Sequence, residues 1–112
     1  MNLKQQVILS TCPDKETAKQ ISESLLTKDL AACINILPGV ESIYKWKEQI
    51  ECDQEFLLII KTQTDAYPAV EKTILELHPY ELPEIIAVPL ANGLPAYLSW
   101  ITDNSNASGI PA

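Results

Sequence analysis

Residues 78–85 carry the side chains best suited to chemistry in this chain. The segment reads His-Pro-Tyr-Glu-Leu-Pro-Glu-Ile and contains the only histidine of the sequence. Each proline fixes φ at about −65° and removes one backbone donor, so we predict a stiff connector. An imidazole is a good ligand for copper, zinc or nickel, which makes His78 a candidate metal ligand. The alternative is a histidine that simply ends a helix, where its partial charge suits the negative end of the dipole.

Cys12 is the second candidate metal ligand. The three cysteines, at positions 12, 33 and 52, are odd in number and widely spaced, which fits neither a disulfide framework nor a zinc knuckle. Cys12 lies at the C-terminal end of a predicted strand, just before a predicted helix N-terminus, a position that can lower the pKa of a thiol and expose it. A thiolate there, with an imidazole, would select a soft ion such as Cu(I). The alternative is a small buried core residue.

A second group of side chains consists of Lys61, Tyr80, Glu81 and Glu84. Lys61 ends an apolar run, and the other three lie on the connector that leads into the last strand. We expect these residues to meet at one end of a sheet, in a cleft between subunits. Such a cleft could hold a small anion or metabolite. It could equally form a salt bridge and a phenol hydrogen bond that set the register between subunits.

Composition and charge argue against several classes of function. The chain has 112 residues, enough for one domain, and a formal net charge of −7, which argues against a nucleic-acid partner. It contains neither a glycine-rich phosphate loop nor a second histidine, and we expect no enzyme, no organic cofactor and no membrane partner. Residues 1–6 lack a signal-peptide pattern, so we expect a cytoplasmic protein.

The hydrophobic pattern predicts the order β-α-β-β-α-β followed by a short helix. Asp14 is a good N-cap for the first helix, Thr64-Asp65 is a predicted cap for the second, and Pro38-Gly39 indicates a turn or bulge. The unbroken apolar run 56–60 predicts a central strand covered on both faces. The predicted strands lie near residues 7–12, 32–37, 42–60 (a long hairpin turning at 47–49) and 85–88, and the closing helix near 94–101.

This order is that of the ferredoxin-like split βαβ arrangement, an α+β fold with an antiparallel sheet and both main helices on one face. The other face is too apolar to lie in water, and the long hairpin carries two aromatic residues near its tip. We therefore predict a homo-oligomer that covers this face. Tyr44, Trp46 and Trp100 are the candidate interface residues. Residues 1–102 are the predicted domain, and residues 103–112 a flexible tail.

The amino-acid sequences of several segments resemble those of the CutA family of divalent-cation tolerance proteins. His-Pro-Tyr-Glu-x-Pro-Glu-Ile resembles that family's signature, and four further segments agree in order and spacing: 31–40, 42–46, 55–62 and 97–101. Ser10 and Leu77 stand where some members of the family carry a cysteine and a second histidine. Cys12 is then only a substitute ligand.

The resemblance implies a compact homotrimer whose long hairpin reaches onto a neighbour. It also implies a response to metal ions, with copper or another divalent cation bound by a non-enzymatic protein. The alternative function is that of a trimeric signalling or adaptor protein similar to the PII type, which would bind a small ligand or a partner protein at its inter-subunit clefts. That alternative rests on analogy of fold.

Overall fold

The computed structural model describes residues 4–106. Four strands and three helices follow one another in the predicted order, with a 3-10 turn, Thr64–Ala66, before the second helix. In chain order they are β1 (Gln5–Cys12), α1 (Lys15–Thr27), β2 (Cys33–Trp46), β3 (Gln49–Gln63), α2 (Tyr67–Leu77), β4 (Ile86–Pro89) and α3 (Pro95–Asp103).

The strands form one antiparallel sheet in the order β2-β3-β1-β4. β1 pairs with β3 along its whole length, from Gln5 opposite Gln63 to Cys12 opposite Phe56. β4 pairs only with β1 and is an edge strand, which is where Pro89 causes no loss of a ladder hydrogen bond. The predicted ferredoxin-like α+β fold is confirmed.

The core lies between one face of the sheet and the helices α1 and α2. Ile8, Leu58 and Ile60 project from the sheet into a cluster completed by residues of both helices, which include Ile21 and Ile74. The opposite face, which we call the open face, is only partly covered. On it α3 packs at one end, where the Gln5 side-chain amide donates to Thr102 Oγ1 at 2.8 Å.

β3 was expected to be covered on both faces. Its buried residues Leu58 and Ile60 alternate with Leu57 and Ile59, which are half-buried. Within the described residues the second face of β3 is covered only in part, because α3 packs at one end of the open face. By register, Leu9, Ile59 and Ile86 lie side by side on this face.

The two main helices begin differently. The carboxylate of Asp14 accepts a hydrogen bond from the Thr17 backbone N–H at 2.7 Å, which confirms the predicted N-cap of α1 and lowers the pKa of Asp14. The predicted Thr64-Asp65 cap of α2 is wrong. Those residues lie in the 3-10 turn, and the N-cap of α2 is Ala66, which has no capping side chain.

The β2–β3 hairpin extends well beyond the helices, and we call its outer part, residues 40–55, the arm. A bulge between Leu37 and Val40 shifts the register where the arm begins, with φ at Gly39 of 75°. Lys47 and Glu48 form the two-residue turn at the tip. The described chain measures 44 × 27 × 22 Å, as expected for a compact body with a projecting hairpin.

The chain remains packed for a few residues beyond position 102, where the predicted domain ends. α3 continues to Asp103, the Ser105 carbonyl accepts from the Gln63 side chain, and the Asn106 N–H donates to the carbonyl of Asp29. Residues 103–106 therefore pack on the domain, while positions 107–112 of the predicted tail lie outside the described residues. Within residues 4–106, no helix is both long enough and apolar enough to cross a membrane.

Replacing the turn sequence at the arm's tip tests its backbone geometry. Lys47 and Glu48 have φ values of 50° and 68°, which favour asparagine and glycine over these residues. We expect Lys47→Asn with Glu48→Gly to raise the free energy of unfolding by about 1 kcal/mol in denaturant titrations at fixed protein concentration. An unchanged or lower value would contradict the assigned turn.

Candidate functional site

The connector between α2 and β4 is tied to the end of β1 through His78. This residue is the C-cap of α2 and is buried. Its Nε2 lies 2.7 Å from the carbonyl oxygen of Thr11, and its Nδ1 lies 3.2 Å from the backbone nitrogen of Tyr80. Because a carbonyl can only accept and a backbone N–H can only donate, the proton is on Nε2 and Nδ1 is an acceptor.

This geometry limits how His78 could bind a metal ion. A metal needs a free lone pair on a ring nitrogen, and Nδ1 is the only ring nitrogen that has one in this tautomer. An ion at Nδ1 would have to displace the 3.2 Å hydrogen bond from Tyr80. His78 therefore takes the predicted helix-ending role, and ligation would require a local rearrangement.

Cys12 is not the exposed, activated thiol that its position in the sequence suggested. Its side chain is fully buried in the core, and burial, followed by the nearby carboxylates of Asp14 and Glu55, raises its pKa from 9.0 to about 11. The N-terminus of α1 does not offset this effect, because Asp14 already occupies the capping position. Cys12 is therefore a protonated core residue near neutral pH.

Two phenol–carboxylate pairs lie beyond the end of β1, one on the arm and one between the arm and the connector. Tyr80 Oη donates to Glu55 Oε2 at 2.7 Å, and Tyr44 Oη donates to Asp53. The hydrogen bond to Asp53 raises the pKa of Tyr44 to about 12, and burial followed by the Glu55 hydrogen bond raises that of Tyr80. Both phenols therefore stay protonated, and the negative charge of the region is that of its carboxylates.

These pairs line a cleft of about 590 Å³ between the arm and the connector, which we call the arm cleft. Its residues come from the end of β1, from both strands of the arm and from the connector. They are Thr11, Ser42, Ile43, Tyr44, Trp46, Asp53, Glu55, Tyr80, Glu81, Leu82 and Glu84. The lining therefore includes four carboxylates and no basic residue.

Three of the four predicted cleft residues, Tyr80, Glu81 and Glu84, do line the arm cleft, but Lys61 does not. Lys61 lies six residues beyond Glu55 on β3, roughly 20 Å along the strand. Its ammonium group lies 3.5 Å from Tyr97 Oη and 5.8 Å from the centre of that ring.

The three candidate interface aromatics lie in two places. Tyr44 and Trp46 line the arm cleft and are 41% and 40% exposed. Trp100 stacks on Tyr97 with ring centres 5.5 Å apart and is also 41% exposed. Each of the three rings is therefore covered in part from within residues 4–106 and keeps about 40% of its surface exposed.

Sequence reasoning missed Glu55, the buried acidic residue of the cleft. It is only 6% exposed, although it directly precedes the apolar run of β3. No local signal in the sequence marks it, because only the fold brings Tyr80 to it, 25 positions away in the chain. Across the described part of the chain, no group of three or more His, Cys, Asp or Glu side chains is arranged to hold a metal ion.

The burial of Cys12 predicts slow alkylation. At pH 8 a thiol with a pKa of about 11 is roughly one part in 1,000 thiolate, and this thiol is also inaccessible. We expect iodoacetamide to modify Cys12 at least ~100-fold more slowly in the native protein than in urea, measured by peptide mass spectrometry. Equal rates in the two conditions would contradict the assigned burial.

Comparison with known proteins identifies the family. Residues 6–104 match the family described as CutA1 divalent ion tolerance protein. A divalent-cation tolerance protein CutA from Thermus thermophilus is 45% identical over 101 residues, which are 90% of this chain and 98% of that protein. The mouse protein CutA is 44% identical over 102 residues, 88% of this chain, but the chain spans only 58% of the mouse protein.

Solved structures agree with the sequence relatives. The divalent cation tolerance protein Cut A1 from Thermus thermophilus superposes with a TM-score of 0.89 at 44% identity, covering 91% of this chain and 99% of that one. CutA1 from Oryza sativa gives a TM-score of 0.89 at 38% identity, covering 93% and 95%. On the family match, the relatives and the shared fold, this chain belongs to the CutA1 family of divalent ion tolerance proteins.

Proposed function

We propose that this chain acts in divalent-cation tolerance as a non-enzymatic protein that binds copper or another divalent cation weakly and reversibly. The observation that carries the proposal is the family match over residues 6–104. The names of the relatives describe tolerance to divalent cations and no reaction. A cytoplasmic location is part of the proposal and is supported by the three free thiols.

Weak rather than tight ion binding follows from the state of the two candidate ligands. His78 must give up its hydrogen bond from Tyr80, and Cys12 must lose a proton whose pKa is about 11. Each change costs free energy and therefore lowers the affinity for the ion. The absence of a preformed group of three ligands in the described residues argues against a resident metal cofactor.

We also propose that the chain works as a homotrimer. Ile43 and Ile50 on the arm are 68% and 79% exposed, and Ile86 on the open face is 50% exposed. An isolated two-stranded hairpin is marginally stable in water, so the arm needs a surface to pack against. Neighbouring copies would supply it and cover the open face.

A trimeric signalling or adaptor protein is the second candidate function. The arm cleft favours it, because a concave site of about 590 Å³ with apolar walls and a few polar groups is typical of small-molecule binding. A small ligand or a partner protein would bind at the cleft. The homotrimer would then place such clefts next to its subunit interfaces.

Ion binding is tested by titrating the reduced protein with Cu(I), Cu(II) and Zn(II) in a calorimeter. His78→Gln keeps a donor for the Thr11 carbonyl but removes the imidazole. We expect the affinity of the tightest copper site to fall at least ~10-fold, or ~1.4 kcal/mol, with unchanged sedimentation. Copper binding equal to that of the wild type would assign His78 a structural role only. Cys12→Ser, measured in parallel, should have the smaller effect.

Assembly is tested by sedimentation of a Trp46→Ala variant. We expect the wild type to sediment at three times its chain mass of 12.4 kDa and the variant to dissociate at concentrations at least ~10-fold higher. Leu75→Ala is the matched control, since Leu75 is 54% exposed but lies on α2, on the other side of the sheet. A wild-type monomer, or a trimer that withstands Trp46→Ala, would contradict the assignment.

A further inference from the structure

We propose that Lys61 of one copy of this chain lies in the arm cleft of the next copy, so that each subunit gives its ammonium group to one neighbour and its carboxylates to the other. This inference rests on the proposed homotrimer and names the contact that determines its register. Three observations support it: the acidic cleft, a lysine that has no carboxylate partner, and an apolar surface between the two.

The lining of the arm cleft is negative and lacks a positive charge from its own chain. Asp53 and Glu55 come from β3, Glu81 and Glu84 come from the connector, and no basic residue of the described chain lines the cleft. Two of these carboxylates accept hydrogen bonds from phenols, which keep their protons and therefore cancel no charge. A protein surface that complements this lining presents a cation.

Lys61 is the matching cation on the open face. Its ammonium group lies 3.5 Å from Tyr97 Oη and 5.8 Å from the centre of that ring, and within residues 4–106 no carboxylate pairs with it. An ammonium group has three N–H donors, so the Tyr97 hydroxyl leaves donors for a carboxylate of another chain. The lysines of α1 and α2 lie on the opposite side of the sheet and cannot take this role.

Both charged surfaces lie on the same side of the sheet. Glu55 and Lys61 are an even number of positions apart on β3, so their side chains leave the strand on the same face, roughly 20 Å from each other. Leu9, Ile59 and Ile86 form an apolar surface beside the strand between them. A second copy on this side therefore covers apolar surface and meets charge at either end. The apolar contact stabilises the assembly, and the charge pair determines its register.

Exposed aromatic rings lie beside both charged surfaces. Trp46 lines the cleft and is 40% exposed, and Trp100 stacks on Tyr97 beside Lys61 and is 41% exposed. Rings buried in a contact exclude water from a neighbouring charge pair, and the lower local dielectric strengthens the attraction. These rings are therefore placed to surround the lysine and the carboxylates when two copies meet.

The two halves of the contact are different surfaces of one chain. Head-to-tail contacts between unlike surfaces leave one surface of each kind free at the ends of an open row, whereas a closed ring satisfies all of them. In the proposed homotrimer three such contacts close the ring. A small ligand of the second candidate function would then have to share the cleft with the lysine of the neighbouring subunit.

Charge reversal tests the contact. We expect Lys61→Glu and Glu84→Lys, each alone, to raise the concentration at which the trimer dissociates at least ~10-fold, because each brings like charges together. Glu84 is exposed, so its reversal leaves the core intact. The chain that carries both changes should dissociate within ~3-fold of the wild type when dilution series are compared by sedimentation. Losses that persist in the doubly substituted chain would overturn the proposal.

Two control variants make the same changes of charge elsewhere. Lys72→Glu alters an exposed position of α2, and Glu41→Lys alters an exposed position of the arm outside the cleft. We expect each to change the dissociation concentration less than ~2-fold, since exposed charges far from a contact are screened by salt. Losses equal to those of the Lys61 and Glu84 variants would assign the effect to net charge and refute the pairing.

A mixture of the two single variants tests the ring. In a two-fold dimer of one Lys61→Glu chain and one Glu84→Lys chain, both contacts join opposite charges, whereas any ring of three keeps at least one contact between like charges. We therefore expect the equimolar mixture to stay weaker than the doubly substituted chain. A mixture that recovers fully as a dimer would overturn the ring.

The same measurements separate this inference from the proposed homotrimer. A wild type that sediments as a monomer would contradict both. A wild-type trimer that neither reversal weakens would retain the homotrimer and refute the Lys61 contact.

Discussion

The antiparallel pairing of β1 with β3 determines where the side chains of the arm cleft can lie. Eight consecutive residues of β1 are matched to β3, and the last pair joins Cys12 to Phe56. Glu55 directly precedes Phe56 on β3, so its carboxylate comes next to the end of β1. A slip of one residue would move Glu55 to the other face, together with every core residue of that strand. The register that packs the core therefore also positions Glu55 in the arm cleft.

One histidine connects this register to the connector. By donating to Thr11 and accepting from Tyr80, the imidazole joins the end of α2, the end of β1 and the first turn of the connector. Tyr80 is thereby directed to Glu55, and its ring lies 4.7 Å from that of His78. A residue that suggests metal chemistry in the sequence thus has a clear structural role. Any ion that recruits it must compete with these hydrogen bonds.

The helices cover the two faces of the sheet to different extents, and this difference links the fold to assembly. α1 and α2 bury one face fully, whereas α3 covers only the end of the open face near Gln5. Leu9, Ile59 and Ile86 remain aligned on the part that α3 does not reach. The arm adds more exposed apolar surface beyond the helices. A single chain buries its core but leaves these surfaces exposed, and they are what supports the proposal that copies of the chain associate.

The pKa of Cys12 could not be predicted from its position in the sequence. A cysteine before a helix N-terminus suggests a lowered pKa, but burial and two carboxylates act in the opposite direction and raise it. Lys61 and Tyr80 appeared to belong together because Lys61 ends one predicted strand and the connector with Tyr80 leads into the next. The strand register separates Lys61 from the cleft and puts Glu55 there instead. In both cases the deciding neighbours are distant in the chain.

The sequence by itself determined the order of strands and helices, the cap at Asp14, the turn at the arm's tip and the family. Apolar periodicity, capping residues and a continuous motif are local properties, so each can be recognised within a single segment of the sequence. The tertiary structure alone decided the burial of Glu55, the tautomer of His78, the raised pKa of Cys12 and the lining of the arm cleft. Those properties depend on desolvation and on hydrogen bonds between residues far apart in sequence, such as His78 with Thr11 and Tyr80 with Glu55.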